Sequence, residues 1–86
     1  MEVKVLGPGC ANCKKLYEVA ERAIAETGVA AHLSKVEDYQ EITRYGVLAT
    51  PALVINDAPL SAGRVPDVAQ VSTWLTTAAM KEQAAV

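Results

Sequence analysis

With 86 residues, 51% of them hydrophobic and 21% charged, the chain reads as a single globular domain over 1–86, too short for a second core and too apolar for disorder. A net charge of −2 offers no basic field for nucleic acid. No apolar run approaches the roughly 20 residues that span a bilayer, so no membrane role is expected.

Residues 2–6 alternate in polarity, with Val3 and Val5 on one side and Glu2 and Lys4 on the other, which predicts a short strand. The chain enters that strand without an apolar signal segment, so the expected location is the cytoplasm. Gly7-Pro8-Gly9 ends the strand, and from Cys10 the period turns helical. Cys13, Leu16, Tyr17, Ala20 and Ile24 share a face, and the helix is expected to run to Thr27 and to be capped by Gly28. Residues 29–36 predict a second strand, its alternation interrupted by His32 and Lys35.

Asp38 with Glu41 has the form of a capping box, and Ile42 and Tyr45 continue an apolar face until Gly46 stops a short helix. Tyr39 and Tyr45 are expected to pack around that helix. The continuous apolar run Ala52-Leu53-Val54-Ile55 after Thr50-Pro51 predicts a strand buried on both faces. Asn56-Asp57 turns the chain into a fourth strand from Pro59 to Ala62, where the proline suits a sheet edge. Pro66 suits the first turn of a last helix with an apolar stripe of Val68, Val71, Leu75, Ala78 and Ala79 beside Trp74, and residues 80–86 are expected to fray. The order strand, helix, strand, helix, strand, strand, helix is that of an α/β domain.

The chemistry centres on Cys10-Ala11-Asn12-Cys13. Disulfide exchange needs a thiolate to attack and a second thiol near enough to release the mixed disulfide, and Cys-x-x-Cys supplies both. Cys10 stands at the helix start, where unpaired N–H groups and the helix dipole stabilise a thiolate and lower its pKa from about 8.5. That makes it the expected nucleophile. Cys13 lies on the apolar face as the expected resolving thiol. Lys14 and Lys15 add positive potential there or are simply solvated. The alternative is a soft-metal module that holds Cu(I) or zinc on the same pair, although zinc wants four ligands and the chain adds only His32. His32 itself reads as a surface or packing residue.

Taken together, the Cys-x-x-Cys after the first strand and Thr50-Pro51 before the buried strand resemble the thioredoxin and glutaredoxin superfamily. Residues 6–16, Tyr45-Gly46-Val47 and Thr50-Pro51-Ala52-Leu53-Val54-Ile55 are most similar to small archaeal and bacterial thioredoxin-like proteins called redox-active disulfide proteins. The resemblance implies a thioredoxin-like βαβαββα fold, a four-stranded mixed sheet with flanking helices. It implies a cis Pro51 beside the cysteines and a substrate-binding role for Thr50 and Pro51. The implied activity is reduction of disulfides, of proteins in preference to glutathione, with no cofactor and no metal. The implied partners are a disulfide-containing protein and a reductase, with glutathione as an alternative. On an ungapped alignment Lys4 stands where thioredoxins carry a buried acid, which leaves proton transfer to water or Lys4 pointing to solvent.

Overall fold

In a computed structural model, residues 1–84 are described. They form β1 (Glu2–Leu6), α1 (Ala11–Thr27), β2 (His32–Val36), α2 (Tyr39–Arg44), β3 (Ala52–Ile55), β4 (Ala58–Ala62) and α3 (Val68–Ala84). The sheet order is β2-β1-β3-β4, with β1 parallel to β2, antiparallel to β3, and β3 antiparallel to β4. This is the expected mixed sheet.

Strand alternation divides the core between the two faces. Val3, Val5, Leu53 and Ile55 pack against Leu16, Ala20 and Ala23 of α1 and Val71 and Leu75 of α3, while Leu6, Ala52 and Val54 pack against Ile42 of α2. All four residues of β3 are buried, as a strand covered on both faces requires. Fully burying one such side chain, Leu53 for example, contributes on the order of 1.5–3 kcal/mol.

The element boundaries follow from pairing and caps. β2 begins at His32 rather than at residue 29, because its register runs only from Glu2↔His32 to Leu6↔Val36 and β1 offers no further partners. Asp38 caps α2 by accepting a hydrogen bond from Gln40 N at 3.2 Å. A helix of six residues turns less than twice, so Ile42 alone is buried on it and Tyr39, expected to pack, is 76% exposed. Asn56 and Asp57 take positive φ values of 49° and 66°, the backbone of a tight two-residue hairpin turn. β4 is an edge strand, which tolerates Pro59, and the register slips there so that Leu60 is the unpaired residue.

Pro66 lies ahead of α3, not in its first turn. The cap is Asp67, whose carboxylate accepts from Gln70 N at 2.8 Å. The helix runs through Met80 to Ala84 where fraying was expected, because Asn56 Nδ2 donates to Glu82 Oε1 at 2.7 Å and ties the last turn to the hairpin. The remainder of that expected fraying, residues 85 and 86, lies outside the described residues.

Candidate active site

Strand directions bring three separate chain segments to one end of the sheet. β1 ends at Leu6 and feeds residues 7–9 into Cys10. β2 is parallel to it and ends alongside at Val36, followed by Glu37. β3 is antiparallel and starts there, since Leu6 pairs with Ala52, so Thr50-Pro51 arrives at the same place. The fold therefore gathers Cys10, Cys13, Thr50 and Pro51 from residues about forty positions apart.

Cys10 is the N-cap of α1, one residue before the helix that was expected to begin with it. Its backbone is extended, and its sulfur accepts a hydrogen bond from Cys13 N at 3.1 Å. A sulfur thus takes the place that a serine or aspartate oxygen fills at other helix starts. That donor and the positive end of the helix dipole both favour a thiolate over a thiol. The Cys10 carbonyl accepts the first intrahelical bond from Lys14 N at 3.0 Å.

The two cysteines are joined as a disulfide with Cα atoms 4.9 Å apart, a separation within the ordinary range. Cys10 is exposed and Cys13 is 5% exposed. One sulfur is open to an incoming substrate. The other is held back against the sheet, one helical turn further on.

Gly7 was read from the sequence only as the end of a strand, yet its missing side chain makes room for Cys13. A Cβ built on Gly7 would collide with Cys13 Sγ and stand 3.3 Å from Cys13 Cβ and 3.8 Å from Thr50 Cβ. Cys13 and Thr50 therefore flank the same glycine. Gly9 has φ of 92°, a conformation natural to glycine, and a Cβ there would lie 3.1 Å from Glu37 Oε2. Glu37 also went unremarked in the sequence, because only the β1–β2 pairing brings it to this end. The Thr50–Pro51 peptide is cis, Pro51 is buried and Thr50 is exposed.

Lys4 belongs to the opposite face. Its amine donates to the Tyr45 hydroxyl at 2.8 Å and lies 5.5 Å from the ring centroid, and that hydrogen bond raises its pKa above the ordinary 10.5. It therefore neither points freely to solvent nor stands beside the cysteines. His32 is exposed and pairs with Glu2 at the far end of β1, about five strand residues, roughly 16 Å, from the cysteine end. Among the described residues no group of three or more His, Cys, Asp or Glu side chains is placed to hold a metal ion. No helix among them is long and apolar enough to cross a membrane.

Residues 1–76 match the family model described as the thioredoxin domain. Over 73 residues the chain is 32% identical to a thioredoxin of Methanocaldococcus jannaschii, covering 85% of this chain and 84% of that one. Over 76 residues it is 30% identical to a thioredoxin of Methanothermobacter thermautotrophicus, covering 88% and 99% respectively.

Proposed function

We propose, for a chain that belongs to the thioredoxin family and is a thiol–disulfide oxidoreductase, that it works as a reductase of protein disulfides in which Cys10 attacks and Cys13 resolves. The observation that carries the assignment is the asymmetry of the pair: Cys10 is exposed at the helix cap with an N–H on its sulfur, and Cys13 is buried behind it.

In the first step the Cys10 thiolate attacks one sulfur of the substrate disulfide. A Cys10–substrate bond forms, the substrate S–S bond breaks, and the other sulfur leaves with the electron pair and takes up a proton. In the second step Cys13, as a thiolate, attacks Cys10 Sγ. The Cys10–Cys13 bond forms and the remaining substrate sulfur leaves, so the protein is oxidised by two electrons and the substrate reduced by two. A separate reductase, or glutathione, returns the pair to the dithiol. Thr50 and Pro51 are assigned to holding the substrate, because Thr50 flanks Gly7 together with Cys13 and is open to solvent, and Pro51 follows it at the same end of the sheet. A reductase of this kind belongs in a reducing compartment, the cytoplasm.

Replacing the resolving thiol tests the assignment. Reduced Cys13→Ser mixed with a disulfide-bonded protein is expected to accumulate a covalent adduct through Cys10 that dithiothreitol releases. If Cys13→Ser forms no adduct while Cys10→Ser does, the roles are reversed.

A further inference from the structure

Cys13 is 5% exposed, and a thiol withdrawn from water gives up its proton reluctantly because the thiolate loses hydration. The second step nevertheless requires that thiolate. Behind Cys13 lies a crevice of about 60 Å³ bordered by Gly7, Gly9, Lys14, Lys35 and Glu37. A water needs about 10–15 Å³ on this measure, so the crevice admits a few.

The charges that face the crevice are few. Lys14 comes from α1, Lys35 from β2 and Glu37 from just beyond β2, while Val5, Gly7 and Gly9 of β1 and its turn bring none. An ammonium group cannot accept a proton, whereas a carboxylate can. Glu37 is the one carboxylate among the lining residues.

Its position is built by the fold. Gly7 N donates to Val36 O at 2.9 Å and locks the end of β2 against the turn that precedes Cys10. Glu37 Oε2 approaches the turn at Gly9, and Cys13 Sγ fills the space that a side chain at Gly7 would need. The carboxylate and the buried sulfur thus approach one three-residue turn at its two glycines. Lys35 is held over the Tyr17 ring, 4.7 Å from its centroid, which keeps a positive charge on this side of α1 where a thiolate forms.

We propose that Glu37 accepts the Cys13 proton, through water in this crevice, as the mixed disulfide is resolved. The inference rests on Cys13 being the resolving thiol. The proton passes from Cys13 Sγ to water and from water to the Glu37 carboxylate. The thiolate attacks Cys10 Sγ, the Cys10–Cys13 bond forms, and the substrate sulfur leaves with the electron pair. The Glu37 carboxyl group then gives its proton up, to that leaving thiolate or to solvent water, which restores the carboxylate. Glu37 acts through water and does not touch the reacting sulfur, so its signature is a pH profile.

A chromogenic aromatic disulfide reads the two steps separately, since Cys10 releases the first aromatic thiolate and Cys13 the second. In stopped flow, Glu37→Gln is expected to leave the first phase unchanged and slow the second by roughly tenfold or more at pH 7, within reach of the loss of a general base. The second phase of the variant should then rise about tenfold per pH unit with hydroxide, where the wild type depends on pH more weakly. Glu37 is exposed, so the variant should fold, and Glu37→Asp should recover part of the rate. A second phase with the wild-type rate and pH profile in Glu37→Gln overturns the proposal. If Cys13→Ser still releases two thiolates, Cys13 is not the resolving group, and the inference falls together with the reading beneath it.

Discussion

The two ends of the sheet are built on opposite principles. At one end, Asn56 ties the hairpin to Glu2 N at 3.0 Å and to Glu82, beside an open groove of about 500 Å³ bordered by Ile55, Leu60, Trp74 and Ala78. At the other, the chain turns through two glycines around a crevice of about 60 Å³ that holds Cys13, with Cys10 outside it. The larger and more apolar concavity has no cysteine among its lining residues. Size alone would have pointed to the wrong end, whereas a polarised sulfur at a helix cap identifies the chemistry at the smaller one.

The comparison breaks most sharply at Gly7. Gly7→Ala places a methyl group where Cys13 Sγ lies. The expected result is a loss of about 1–3 kcal/mol in denaturant unfolding of the oxidised protein. Displacing the Cys13 sulfur should also slow disulfide reduction by about a hundredfold. Wild-type rates in Gly7→Ala would show that the site tolerates repacking and that the close approach is incidental.

Trp74→Ala probes the other end. Trp74 packs against the main core and borders the large groove, so its truncation should destabilise the fold by about 1–3 kcal/mol, below the loss for a fully buried aromatic. Its kcat/KM for a protein disulfide should stay within about twofold of wild type. A large drop in kcat/KM with stability preserved would bring the far groove into substrate binding and undo the contrast between the ends.

Tyr45→Phe should have the smallest effect and sharpens the separation of the two faces. The hydroxyl raises the Lys4 pKa above 10.5, so the bond stabilises the charged amine. That stabilisation is fully present below pH 10.5 and is lost as pH rises through the raised folded-state value. The difference in melting temperature between wild type and variant should accordingly be small, flat through neutral pH, and diminished above pH 10.5. Turnover at pH 7 should not change.

What could be read from the sequence was what local patterns encode. The period at residues 2–6, the Gly28 cap, the Asp38 cap, the Asn56-Asp57 turn and the buried run at residues 52–55 each depend on neighbours in the chain, and the structure has them where expected. The cysteine pair was legible because its spacing is itself the chemistry. Glu37 and the closeness of Gly7 to Cys13 were not, since both arise from the pairing of β1 with β2 and the packing of α1 on the sheet. The same holds for α3, whose last turn is tied by Asn56, 26 residues earlier than Glu82. Tyr39 shows the converse, an aromatic side chain expected to pack around a helix that is too short to bury it.

The most direct test of the central claim is a redox titration of Cys10 and Cys13 in metal-free protein, equilibrated in dithiothreitol buffers, with free thiols counted at each potential. The account predicts a single reversible two-electron transition near the thioredoxin value of about −270 mV. A pair that forms no reversible intramolecular disulfide at any potential would contradict it.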